Sequence, residues 1–216
     1  MTDFLLILPI LLISVIVHEV AHGYTALRLG DPTAKRAGRL TANPIPHIDL
    51  VGSILVPLVS VIVAGRVFIA WAKPVPVNPA NFSNFRRDDI LVSIMGPASN
   101  IALAFVFSVI TGIVLMLSQG ELSGTTEFFV QLMVNGIYLN VILAVFNMLP
   151  IPPLDGSHIL ASVLPQELGD NYRRIGFLGI FIVLLLLNNP TFRGIFMTII
   201  ETVASPFVFI VQFFAG

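Results

Sequence analysis

Residues 15–24 read V-I-V-H-E-V-A-H-G-Y, and they close an apolar run that begins at Phe4. His18 and His22 are four apart, so a helix stacks their imidazoles on one face, one turn above the other, where both can bind a single metal ion. Glu19 sits beside them in an H-E-x-x-H pattern, where the carboxylate is the general base for water at the metal rather than a ligand. Each of these groups costs about 2.5 kcal/mol or more to insert into a bilayer, which calls for a compensating partner such as a metal. The competing reading is a chance pentapeptide, which such a cost disfavours.

The chain that positions these residues is 56% hydrophobic and only 11% charged, with mean hydropathy +0.94. A soluble domain carries about a quarter charged residues, so the expectation is an all-α polytopic membrane protein, a single domain over residues 1–216. The net charge of −1 argues against nucleic acid as a partner. With no cysteine, any metal site must be built from imidazole and carboxylate. Nothing basic precedes Phe4, so the first apolar segment reads as retained rather than as a cleaved signal peptide.

Residues 4–24 make about 31 Å of helix, enough to cross a bilayer. Arg28, Lys35, Arg36 and Arg39 follow it, and only Asp3 is charged before it. The positive-inside rule therefore puts the N-terminus outside and the histidine pair near the cytoplasmic side, roughly 10 Å below that boundary. Residues 38–49, with Pro44 and Pro46, suit an extended hairpin or edge strand. Residues 50–71 are apolar but broken by Pro57, Gly65 and Arg66, which favours a re-entrant element or an incomplete span. Residues 70–82 carry Pro74, Pro76 and Pro79 and read as extended loop. Spans are expected at 90–117 and 128–149, with a short one at 175–187. Residues 191–214, carrying Glu201 and Pro206, suit a last span or an interfacial helix. The sum is a bundle of about five to six transmembrane helices with a small membrane-associated β segment.

Catalytic zinc keeps three protein ligands and one open position. The predicted topology brings the start of the second clear span and the end of the third to the depth of the histidines. Asp155 is the only carboxylate at the latter place, in a proline-rich turn before Gly156, and it is the chosen third ligand; the alternative is an aspartate capping the next helix. Asn100 and Asn147 are candidate substrate-positioning residues, although asparagine in a membrane helix also serves as interhelical glue. Gly96, Ser99 and Asn100 are expected to bring their helix close to a neighbour and bond to it. His158 is a spare ligand or a polar neighbour of the site, and His47 a loop residue.

H-E-V-A-H at 18–22, G-P-A-S-N at 96–100 and N-M-L-P-I-P-P-L-D-G at 147–156 together resemble the site-2 protease family of intramembrane zinc metalloproteases. The loops G-R-L-T-A-N-P-I-P-H-I-D and A-W-A-K-P-V-P-V-N-P resemble those of its short prokaryotic members, which lack PDZ and nucleotide-sensing domains. The resemblance implies one zinc ion per chain on His18, His22 and Asp155, Glu19 as catalytic base, Asn147 meeting the substrate, and a membrane-embedded sheet from the proline-rich segments. The expected activity is cleavage of peptide bonds within or near the transmembrane segments of membrane-protein substrates. Gly38 to Asn43 would pair with an unwound substrate by strand addition. A metal-binding transporter or sensor is the rival class, and it gives Glu19 no specific task; an inactive homologue is the third reading.

Overall fold

The computed structural model describes residues 2–49, 52, 55, 72–118 and 123–215. The first helix, α1 (Thr2–Arg28), is followed by a single turn, α2 (Thr33–Arg36), and two long helices come next, α3 (Phe85–Leu117) and α4 (Thr125–Asn147). Short helices α5 (Asp155–Val163), α6 (Gln166–Arg173) and α7 (Gly179–Asn188) lead to the last long one, α8 (Pro190–Ala215). Four stretches are long and apolar enough to cross a membrane: Ile7–Arg28, Phe85–Leu117, Thr125–Asn147 and Pro190–Ala215.

The expectation of five to six spans is therefore reduced to four among the described residues. The short span predicted at 175–187 is mostly α7, whose 10 residues rise about 15 Å, half the thickness of the hydrocarbon core. The re-entrant element expected at 50–71 lies almost wholly outside the described residues.

The β segment is corrected too, since no strand occurs among the described residues. The expected edge strand at 38–43 is a run of turns and bends. Local bonds decide it: Gly38 has φ +66°, Asn43 N–H donates to Thr41 Oγ1 at 3.1 Å, and Ile45 N–H donates to Asn43 Oδ1 at 3.1 Å. Such short polar side chains offer the backbone an alternative to a ladder. Of the extended loop expected at 70–82, residues 72–78 take neither helix nor strand, but Pro79–Asn81 form a 3-10 turn.

Helix ends follow their capping chemistry. Asn84 caps α3 by accepting from Arg87 N–H at 3.2 Å, while Asp88 reaches back to Asn84 N–H at 3.0 Å, a reciprocal arrangement of the capping-box kind. Asn189 caps α8 by accepting from Thr191 and Phe192 N–H, with Pro190 at the first helical position, where its missing N–H costs nothing.

Helix α3 is the central post, packing against α1, α4, α5 and α8. One side of it, with α4 and α8, forms the apolar core of Ala104, Ile137, Val141, Phe196, Ile200, Ala204 and Phe207. The contact is close because Gly112 has no side chain: a Cβ there would come within 2.8 Å of Phe214. The other side of α3 faces α1 and α5.

Candidate metal centre

Ser14, His18 and His22 recur every four residues on α1, so they share the face turned to α3. Asp155 enters as the first residue of α5. Gly156 lets the preceding turn fold back on itself, since a Cβ there would meet Met148 O at 2.2 Å. The helix has Leu154 as its N-cap and no side-chain cap bond, so Asp155 does not spend its carboxylate on capping. Its Oδ2 lies 3.1 Å from His18 Nε2 and its Oδ1 3.2 Å from His22 Nε2, while the two Nε2 atoms are 3.0 Å apart. One donor atom from each residue falls within 4.8 Å of the others.

Proton positions follow from groups that can only accept. Asn140 Nδ2 donates to Gly136 O at 2.9 Å and to Ser14 Oγ at 2.9 Å, so Asn140 Oδ1 faces Asn100. Asn100 Nδ2 donates to that oxygen at 2.9 Å and to Ser14 O at 3.3 Å, which turns Asn100 Oδ1 toward His18. At 2.6 Å that oxygen takes the Nδ1–H of His18. Likewise the carbonyl of Val92 takes the Nδ1–H of His22 at 2.7 Å. Each neutral imidazole has only one N–H, so both Nε2 lone pairs are left bare, facing each other and a carboxylate. Asp155 Oδ2 is buried without a hydrogen-bond donor. With both imidazoles neutral, four acceptor atoms converge with no proton between them and are mutually repulsive unless a cation joins them. Two imidazoles and one carboxylate are a donor set that suits zinc with one position open, so the residues fit the metal.

Helix α3 builds the back of this centre from a single stripe at 89, 92, 96 and 100. Gly96 is the point of closest approach, where a Cβ would sit 2.3 Å from His22 Nε2 and 2.6 Å from His18 Nε2. The close approach and bonding expected of Gly96 and Asn100 are both present; Ser99 instead bonds within its own helix, to Gly96 O at 2.7 Å. Asp89 holds α5 and α6 against the post. Its Oδ2 accepts from Ser162 Oγ at 2.7 Å and from Arg173 at 3.1 Å, and its Oδ1 lies 3.5 Å from His158 Nδ1. His158 thus faces Asp89, outside the ligand group.

Glu19 lies outside the ligand group as well. Its Oε2 accepts the Val75 N–H at 2.6 Å, from the strap at 72–78. Gly23 lets the strap lie flat on α1, since a Cβ there would meet Val75 Cγ1 and Leu40 Cδ2 at 2.7 Å each. Both ends of the strap are tied. Lys73 N–H donates to His47 O at 2.9 Å and Lys73 O accepts from Arg39 at 2.5 Å. At the other end Asp31 accepts from Asn78 N–H at 2.7 Å and from Asn81 Nδ2 at 2.6 Å, besides Thr33. Burial alone would raise the Asp31 carboxyl, but the donors on Thr33, Asn78 and Asn81 outweigh it and hold the group below the usual carboxylate range.

The two asparagines part company. Asn100 is fully buried and its amide is spent on His18, Ser14 and Asn140, which leaves none of it to meet a substrate. Asn147 is half-buried at the end of α4 and donates to Leu143 O of its own helix at 3.0 Å. Sequence reasoning missed Ser14, Asp89 and Asn140. Ser14 had a signal, standing four residues before His18 as His18 stands four before His22, and Gly136 with Asn140 repeats that spacing on α4.

The model of peptidase family M50 matches residues 108–187. A Bacillus subtilis protein named "Putative zinc metalloprotease YwhC" is 40% identical over 190 residues, which cover 85% of this chain and 82% of that one. The chain belongs to peptidase family M50. Among other relatives, "Putative zinc metalloprotease Rip2" of Mycolicibacterium smegmatis is 28% identical over 197 residues, 91% of this chain and 72% of its own. "Putative zinc metalloprotease MJ0611" of Methanocaldococcus jannaschii is 41% identical over 69 residues, about a third of each chain. No solved structure matches. The resemblance to site-2 proteases is thereby borne out, and this M50 chain, with four membrane-capable helices, is a membrane protein.

Proposed function

We propose that this M50 chain is, over its whole length, one membrane-embedded zinc metalloendopeptidase that cuts peptide bonds within or near the transmembrane segments of other membrane proteins. The observation that carries this reading is the convergence of His18, His22 and Asp155 with both Nδ1 protons already committed elsewhere. One zinc ion per chain would be held by those three residues. Bound zinc supplies a Lewis acid that lowers the pKa of water to about 7 and polarises a peptide carbonyl.

The chain's own groups do the rest. Glu19, the glutamate of the H-E-x-x-H segment, takes the proton of the attacking water and passes it to the leaving amine. The Val75 N–H holds one of its oxygens, which leaves the other for that proton. Asn100 and the Val92 carbonyl keep the imidazoles in the tautomer whose lone pairs face the ligand cluster, the usual task of groups hydrogen-bonded to metal-binding histidines. Asn147, at the half-buried end of α4, is the residue left to meet a substrate carbonyl. The basic residues Arg28, Lys35, Arg36 and Arg39 after α1 support an external N-terminus and a site near the cytoplasmic face.

The test is the zinc content of the purified, detergent-solubilised chain beside His18→Ala, His22→Ala and Asp155→Ala, followed by turnover of a transmembrane substrate by Glu19→Gln. About one zinc per wild-type chain, lost in all three variants, with Glu19→Gln keeping zinc and losing turnover, is the expected result. Zinc retained by Asp155→Ala, or full turnover by Glu19→Gln, would overturn the assignment.

A further inference from the structure

Glu201 has no part in the metal centre. It is the twelfth residue of the 26 in α8 (190 to 201), close to the middle of a helix long enough to cross the membrane. It is exposed, and so are Met197, Ile199 and Phe209 on the same helix. A carboxyl set into a face otherwise suited to lipid is expensive there and calls for a partner.

The surroundings of Glu201 are mostly apolar, with a few polar groups set among them. With Ser205, Pro206, Phe209 and Gln212 of α8 and Tyr138 of α4, it lines an open groove of about 770 Å³. Pro206 brings no N–H to the carbonyl of Thr202, and the Ser205 hydroxyl donates to that carbonyl instead, at 2.8 Å. Tyr138, Glu201 and Gln212 have no such internal use: among the described residues no side-chain hydrogen bond or ion pair reaches them. One groove therefore presents an unused donor, the Tyr138 hydroxyl, and an unused acceptor, the Glu201 carboxyl.

We propose that this groove is the contact between two copies of the chain, related by a two-fold axis along the membrane normal. Rotation about that axis preserves depth, so groups lining one groove meet their counterparts at the same level. Each copy leaves both a donor and an acceptor unused. Tyr138 of one donates to Glu201 of the other, and the symmetry makes that bond twice. A lipid chain can do none of this, and an unrelated helix would have to bring the whole complement itself. The inference stands on α4 and α8 alone and is independent of the metal reading.

The experiment counts subunits by photobleaching in lipid vesicles over a series of protein-to-lipid ratios. The full chain is labelled at a single cysteine introduced at Leu117, which is exposed; the chain has no cysteine of its own. Wild type should pass from one label to two as its density rises. Glu201→Leu places an apolar side chain at an exposed position; it should raise the dimer dissociation constant about tenfold, because two symmetry-related bonds are lost. Tyr138→Phe should raise it similarly, Glu201→Gln less, and Phe105→Leu, exposed on α3 outside the groove, should leave it unchanged. Wild type that stays single at every density overturns the proposal, as does a dimer indifferent to Glu201→Leu. Single subunits that instead retain a different membrane protein, lost in Glu201→Leu, give the groove to that partner and overturn it equally.

Discussion

Helix α3 has two working sides, and they are held by different forces. Toward α4 and α8 Ala104 joins Ile137, Val141, Ile200 and Phe207 in one apolar cluster, and the Asn100–Asn140 bond is the polar link to α4. Toward α1 and α5 it presents Asp89, the Val92 carbonyl, the bare Gly96 and Asn100, each against a polar group. Polar bonds between membrane helices average only about 0.6 kcal/mol, so the second side adds little to cohesion. What it adds is direction. It sets the tautomer and rotation of two imidazoles, and it sets them from a helix that supplies no ligand.

That contrast breaks hardest at Gly96. Gly96→Val should reduce zinc content to background and turnover to the level of Glu19→Gln, with helical content by circular dichroism retained; a variant that kept its zinc would mean the helices simply move apart at no cost. Asn100→Leu is the next step down. It leaves the His18 proton unheld, and metal affinity should fall about 10- to 100-fold in a chelator competition, with the fold intact. The apolar side gives the smallest effect and the sharpest control. Ile200→Val should cost about 1 kcal/mol of stability, read by denaturant titration in mild detergent, with zinc affinity unchanged. Were Ile200→Val to weaken zinc as much as Asn100→Leu, the two sides of α3 would not be separable.

The parts legible in the sequence were those with a period or a strict residue type. Long apolar runs gave the four membrane-capable helices, and the spacing of His18 and His22 with the isolated carboxylate Asp155 pointed to the three residues that the fold brings together. Asn140 and Ser14 were hard to see because one polar residue in an apolar helix looks the same whether it bonds to a ligand or to a passing carbonyl. Asp89 was hidden inside R-R-D-D at 86–89, where it reads as one of several charges at a helix start. The edge strand failed for a local reason: proline-rich chain was correctly read as non-helical, but Thr41 and Asn43 bond to their own backbone and curl it. Asn100 was legible as interhelical glue, and a substrate role was read in excess of what its buried amide can offer.

The bonds from Asn100 and Val92 to the two imidazoles involve protein groups alone, so they exist as soon as α1 and α3 meet. Biogenesis then has a natural order. The chain can insert and assemble first, with the histidines already aimed, and load its ion afterwards from whatever supply the cell offers. Chelation should accordingly idle the enzyme without dismantling it, and metal returned to the same molecules should restart them without a second round of insertion.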